Sequence, residues 1–247
     1  MTRLTFTEAG HIYKLDGRRV SSVTTILQVL AKPALVNWAA NAAADYAIDH
    51  WDSLASMPPS ERRSAISRAP NKSRNKAAAK GTQIHDWADK LTAGREVEIP
   101  EAYVETVERF ARWWEGSKFE PAAAEAAVFS DFDEVYGTAY AGRFDMLAKH
   151  PSYGLTLIDW KTSKGVYPEH GLQLAAYRDA DMLQDGDTDV PMPTIDTAAV
   201  AHVRESGVVL HILDAAQAKA AQDKWELVRA IHTLPDPQFT ETAEGVA

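Results

Sequence analysis

The chain has no cysteine. Disulfides, thiolate-bound zinc, cysteine-held iron–sulfur clusters and thiol nucleophiles are therefore excluded together. It also lacks any run of about 18 apolar residues, the minimum for a membrane-spanning helix. Its first residues, Met1-Thr-Arg-Leu-Thr-Phe-Thr-Glu, lack the apolar stretch of a secretion signal. The reading is of a soluble, cytoplasmic protein. Positive charge is in deficit, with 26 Lys and Arg against 35 Asp and Glu, a net −9. Taken whole, that balance argues against a nucleic-acid binder. What is present is a core: 45% hydrophobic residues over 247 positions, enough for one sizeable domain.

The positive charge is unevenly spread. Between Glu61 and Lys80 lie Arg62, Arg63, Arg68, Lys72, Arg74, Lys76 and Lys80 against a single acid, a net +6. Such a run is either a solvated helix face or a track for a phosphate backbone.

Along the chain, residues 3–20 read as a strand pair with turns at Ala9-Gly10 and Asp16-Gly17. Ser21 and Ser22 cap a short helix, Val23 to Leu30, ended by Pro33. Residues 34–54 show helical spacing. Ser60 caps another helix that Pro70 breaks, and residues 71–91 form an alanine-rich helix ending near Gly94. Pro100 opens a helix over 101–115, whose Trp113 and Trp114 offer either core packing or a base-stacking surface. Strands follow at 120–130, 139–148 and 155–161. A helix at 168–183, an acidic loop at 184–193, a hairpin over 195–204 and 208–213, and a helix capped by Asp214 complete the pattern. The expected fold class is α/β, a central mixed sheet flanked by helices. We read one domain over 1–247: an N-terminal hairpin and helical region (1–77), a core (78–234) and a flexible tail (235–247).

The chemistry concentrates in Gly142-Arg-Phe-Asp145 and Asp159-Trp160-Lys161-Thr162-Ser163. Residues two apart on a strand share a face, so Asp159 and Lys161 point the same way. If the two strands form a hairpin, Asp145 reaches the same spot. Two carboxylates in a desolvated site repel, and a bound cation removes that cost. Mg²⁺ suits such a site because it takes oxygen ligands and retains waters. The alternative is a buried Asp–Lys ion pair beside an unrelated Asp. Further along, Gly81 precedes His85 by one helical turn, and Gln173 and Tyr177 are i,i+4 neighbours able to face one groove.

In order, Gly81-x-x-x-His85, Gly142-x-x-Asp145, Asp159-x-Lys161-Thr162 and Gln173-x-x-x-Tyr177 resemble the RecB-like branch of the PD-(D/E)xK nucleases, with a restriction-endonuclease-like core. The match spans about residues 78–180. The segment Val20-Ser-Ser-Val-Thr-Thr-Ile-Leu27 also looks like the leader of phage-type exonucleases and of the mitochondrial genome maintenance exonuclease. The resemblance implies a Mg²⁺- or Mn²⁺-dependent DNA exonuclease of phage or bacterial replication, recombination or repair. It implies metal ligation by His85, Asp145, Asp159 and the Trp160 carbonyl, with Lys161 as the catalytic lysine. Gln173 and Tyr177 would position DNA or the active groups, and Glu125 matches an acid common on the preceding strand, where a surface role is the alternative. DNA contacts fall to Lys72, Arg74, Lys76, Lys80, Thr162 and Ser163. CRISPR adaptation exonucleases and AddB-type enzymes of this branch carry four cysteines for an iron–sulfur cluster; this chain would be a cluster-free relative. The rival functions are an endonuclease on the same fold and a catalytically silent DNA-binding or assembly protein. The expected partner is DNA, as ends or single strands.

Overall fold

The structure is a computed structural model that describes residues 3–133, 135 and 137–235. The expected N-terminal strand pair is a three-stranded meander, β1 (Leu4–Thr7), β2 (Ile12–Leu15) and β3 (Arg18–Ser22). Ser22 then caps α1 (Val23–Ile26) by accepting the Thr25 N–H at 3.0 Å. A 3₁₀ turn, Leu27–Val29, follows. Pro33 opens α2 (Pro33–Asp49), because its missing N–H costs nothing at a first helical position. A short α3 (Trp51–Ala55) comes next.

The largest departure from the sequence pattern is α4 (Pro59–Thr92), one helix of 34 residues. Ser60 is not its cap; Pro58 is, with Pro59 in the first turn. Pro70 lies inside the helix and does not break it. An interior proline removes one hydrogen bond and crowds the preceding turn, typically costing about 3 kcal/mol. Packing of α4 on α2, with Ala69 buried, is what opposes that cost. The helix stops as expected: Gly94 is left-handed (φ 69°), and Arg95 and Gly94 return their N–H groups to Lys90 and Leu91 at 2.8 and 2.9 Å. Both orphan carbonyls are thereby satisfied. Next is α5 (Glu101–Ser117), closed by a left-handed Lys118.

The strand expected over 120–130 is two strands, β4 (Glu120–Ala124) and β5 (Ala127–Ser130). Likewise 139–148 divides into β6 (Tyr140–Arg143) and β7 (Met146–His150). They are two halves of one bent hairpin. β5 pairs with β6 through Ala127↔Arg143, and β4 pairs with β7 through Ala124↔Met146. Across the bend, Glu125 N–H donates to the Asp145 carbonyl (2.9 Å) and Phe144 N–H to that of Ala126 (3.2 Å). The ribbon thus passes intact from one sheet to the other. A left-handed Glu125 (φ 49°) makes the turn.

The remaining elements are β8 (Gly154–Lys161), α6 (Pro168–Arg178), β9 (Met182–Asp185), β10 (Thr188–Pro191), β11 (Thr197–Arg204), β12 (Gly207–Ile212) and α7 (Ala215–Thr233). The acidic segment read as a loop over 184–193 is largely the β9–β10 hairpin. Its Val190 and Met192 pack on the core, which is why tertiary contact overrides its polar composition. Asp214 and Gln217 form the reciprocal cap of α7.

The α/β class expected from the sequence holds, with the strands shared between two mixed sheets. One has the order β1-β2-β3-β6-β5-β9-β10, the other β12-β11-β8-β7-β4. In the second, β8 and β11 are parallel and the other pairs antiparallel. Both its faces are covered. Ile158, Trp160, Ala201 and Val203 meet Ile84 and Trp87 of α4 and Phe110 and Trp114 of α5. Leu157, Ala198 and Val200 meet Leu172, Leu174 and Tyr177 of α6. The tail beyond residue 235 lies outside the described residues.

Candidate active site

The bend in the hairpin leaves Asp145 just ahead of β7, beside the part of β8 that β7 does not pair. Register ends at Met146↔Ile158, so Asp159, Trp160 and Lys161 have no backbone partner on that edge from β7. Asp145 fills in: its Oδ2 accepts the Trp160 N–H at 2.6 Å. A residue's N–H and carbonyl leave a strand on the same side, so the Trp160 carbonyl also faces Asp145. The other Asp145 oxygen lies 3.4 Å from His85 Nδ1, which α4 brings to the edge.

Asp159 and Lys161 share a face, as period two requires. Lys161 Nζ is 2.5 Å from Asp159 Oδ2. Asp159 is almost wholly buried, and that oxygen accepts no aligned hydrogen bond; the contact is an ion pair by proximity. Burial pushes the Asp159 carboxyl up to about 6, with Lys161 opposing and Asp145 reinforcing the shift. Burial pulls the Lys161 ammonium the other way, but Asp159 and Asp145 outweigh it and the net shift is upward. His85 behaves similarly: burial disfavours its charge, and Asp145 reverses the balance.

Two glycines join the motifs. A Cβ at Gly142 would stand 2.4 Å from Cε1 of Tyr177, so the tyrosine ring lies directly on the β6 backbone. Its hydroxyl accepts from Gln173 Nε2 at 2.8 Å. Burial drives the Tyr177 hydroxyl far above its ordinary value, with Asp159 adding to the shift; it stays neutral. A Cβ at Gly81 would meet Thr162 Oγ1 at 3.2 Å, so α4 comes close to the end of β8 there. Gly142→Ala should therefore destabilise the protein by roughly 1–3 kcal/mol, the range for overpacking a filled core. Urea denaturation measures it, and a wild-type midpoint would show that the ring yields freely.

Sequence reasoning missed Asp89. It stands one helical turn after His85, so the His-x-x-x-Asp spacing on α4 was the available signal. Asp89 Oδ1 accepts the Trp160 indole N–H at 3.4 Å. Burial first, then repulsion from Glu125 and Asp145, pushes its carboxyl up to about 8. Glu125 is shifted upward too, by burial first, while Arg143 opposes at 2.7 Å. Two neighbouring buried carboxyls resist carrying charge together. Glu125 thus sits beside the cluster, facing Asp145 across the bend.

The basic window is not uniform. Arg62 is occupied structurally, donating to the carbonyls of Leu54, Ala55 and Met57 at 2.8–3.1 Å. Residues 71–79 are exposed on every side of α4, so Lys72, Arg74 and Lys76 stand in solvent. At 100° per residue, Arg74 lies three turns before His85 on nearly the same line. Lys80 pairs with Glu205 at 3.5 Å. The Trp113 and Trp114 stacking surface is not present: both rings pack with Trp160, Trp113 also against Phe110, and Trp114 against Phe119.

Among the described residues, no three His, Asp or Glu side chains stand in a ready metal-holding arrangement. The donor set nevertheless suits a hard divalent ion: two carboxylates, an imidazole and a strand carbonyl at one edge. The buried Asp159 oxygen without an aligned donor is an acceptor that a cation would satisfy.

No curated protein matches the sequence. A solved structure described as "Crystal structure of SSO0001" matches at 16% identity with a TM-score of 0.29, over 57% of this chain and 64% of that one; the chain thus spans under two thirds of that protein's length. The model of the PD-(D/E)XK nuclease superfamily matches residues 58–241, a span that holds α4, the bent hairpin, β8 and α6. With that match over most of its length, the chain belongs to the PD-(D/E)XK nuclease superfamily.

Proposed function

We propose that the protein is a Mg²⁺- or Mn²⁺-dependent deoxyribonuclease, and within that class an exonuclease acting on DNA ends or single strands in phage or bacterial replication, recombination or repair. The observation that carries this reading is the meeting of His85, Asp145, Asp159 and Lys161 at the carboxyl end of β8, the central strand of the five-stranded sheet. His85, Asp145, Asp159 and the Trp160 carbonyl would hold the ion. When bound, it supplies Lewis acidity to a phosphate oxygen and a water of lowered pKa. Hydrolysis joins the water oxygen to phosphorus and breaks one phosphorus–oxygen ester bond, leaving a hydroxyl and a terminal phosphate. Lys161 keeps its proton beside two carboxylates, so its part is to steady developing negative charge. Tyr177 and Gln173, bonded to each other over Gly142, brace the face on which Asp159 lies. No iron–sulfur cluster enters this scheme. We read the whole chain as one nuclease domain.

The test is digestion of end-labelled linear DNA beside closed-circular DNA, with Mg²⁺ or Mn²⁺ and with EDTA. The expected result is loss of the linear substrate only, abolished by chelation. Cleavage of the circle would make the protein an endonuclease. Undiminished cleavage after thorough chelation would overturn the metal, and no cleavage of either DNA would overturn catalysis.

A further inference from the structure

Beyond the carboxylate cluster, β8 and β11 end side by side. Lys161 is in register with His202, so Thr162-Ser163-Lys164, leaving β8, run beside Val203 and Arg204, the last residues of β11, and Glu205 in the turn beyond them. Crevices outside the carboxyl ends of parallel strands are where open α/β sheets bind ligands. Here the space has a volume of about 420 Å³, closed on its third side by Lys80 and Ile84 of α4. Two features hold its shape. Gly81 lets α4 approach Thr162 to 3.2 Å from a notional Cβ. His202 Nε2 and the Ser163 carbonyl lie 2.7 Å apart, fixing the loop after Lys161.

The charge of this crevice is unbalanced. Lys80, Lys164 and Arg204 line it against one carboxylate, Glu205. Among the described residues, the Lys164 and Arg204 side chains form no ion pair and no hydrogen bond. Glu205 meets Lys80 at 3.5 Å while 86% exposed, so it is held only weakly. Exposed cations gathered in a concave, partly apolar wall form an anion site, and Arg adds a planar fork matched to two phosphate oxygens. Thr162 adds a hydroxyl donor, while that of Ser163 is already given to the Gly165 carbonyl at 2.7 Å.

We infer that this crevice binds one phosphodiester of a DNA strand, the neighbour of the group that reacts, with Lys80, Lys164 and Arg204 as its positioning residues and Glu205 as the anion it displaces. The inference rests on the nuclease reading above. Because Thr162 follows Lys161 directly, a strand seated here is delivered to the carboxylate cluster. Glu205, on the turn between β11 and β12, occupies Lys80 until DNA arrives and disfavours weaker anions. The bare cations at Lys72, Arg74 and Lys76 would lead the strand along α4 towards the same place.

The test compares wild type, the double variant Lys164→Gln/Arg204→Gln, Glu205→Gln, and a control, Arg18→Gln/Arg19→Gln, on the other sheet. Affinity for a single-stranded oligonucleotide is measured against salt, in Ca²⁺ to suppress turnover. The double variant should bind roughly tenfold more weakly, the scale of a charged hydrogen bond. Its log–log salt slope should flatten by about 0.7, one single-strand phosphate. Glu205→Gln should bind more tightly than wild type. In Mg²⁺, the double variant's loss should fall more on KM than on kcat. If wild type binds and cleaves DNA but the double variant keeps its affinity and slope, the crevice is overturned and the nuclease reading stands. An equal loss in the Arg18/Arg19 control would assign the effect to overall charge and overturn it likewise. A wild-type protein that neither binds nor cleaves DNA overturns both.

Discussion

Asp145→Asn and Asp159→Asn are each expected to abolish DNA cleavage while the protein stays folded. Both side chains keep their shape in these variants; what is lost is the negative charge that would attract a divalent ion. Asp145 has two tasks, with one oxygen on the Trp160 N–H and the other towards His85. The amide can still accept from Trp160, so the β8 edge should survive. Asp159 is nearly inaccessible, and its amide cannot replace a ligand carboxylate. A second readout separates ligation from general damage. Mn²⁺ binding to the folded state alone should raise the wild-type Tm as the ion concentration passes its Kd. Both variants should lose that rise while retaining a cooperative transition. Near-wild-type cleavage by either would remove that carboxylate from the metal site. A retained Mn²⁺ response without cleavage would give it a role in the reaction other than holding the ion.

Much of this cluster was legible because its spacing is local. Asp159 and Lys161 are two apart on a strand, and period two alone puts them together. Gln173 and Tyr177 are one helical turn apart, and they do bond. The glycines were legible as positions but not as contacts. That Gly142 receives the Tyr177 ring, and Gly81 the Thr162 hydroxyl, depends on packing between elements far apart in sequence. The bend at Glu125 and Asp145 was illegible for another reason. The hairpin register continues through it, so hydrophobic alternation continues too, and two sheets read as one. Pro70 misled in the opposite direction: its local preference to break a helix is real, but packing of α4 on α2 prevails. Asp89 was overlooked because its partners, Glu125 and Trp160, arrive from other elements.

Lys161→Ala should slow cleavage by roughly 10²–10³-fold, the usual consequence of deleting one electrostatic stabiliser of a transition state. It should do so without abolishing the metal response, since the carboxylates and His85 remain. The same variant should change the metal-free protein in a way that depends on pH. In wild type, burial already lifts the Asp159 carboxyl from 3.8 to about 6, with Lys161 holding it down. Without the ammonium 2.5 Å away, only the lesser pull of His85 still opposes burial, and the carboxyl rises further. A carboxyl whose folded pKa exceeds its unfolded one binds its proton more tightly when folded. Stability is then lost as pH rises between the two values. For wild type, Asp159's share of that loss falls between about 4 and about 6. For Lys161→Ala the loss should continue above 6, so that there the variant falls below wild type by roughly a further 3 kcal/mol, the lower range for breaking a buried ion pair. Well below pH 3.8, where Asp159 is protonated in both folded and unfolded chains, this pH-dependent difference should vanish. Urea titrations in EDTA across this range measure the difference. Parallel curves would mean that Lys161 does not stabilise the Asp159 charge. A near-wild-type cleavage rate would mean that the lysine takes no part in the chemistry.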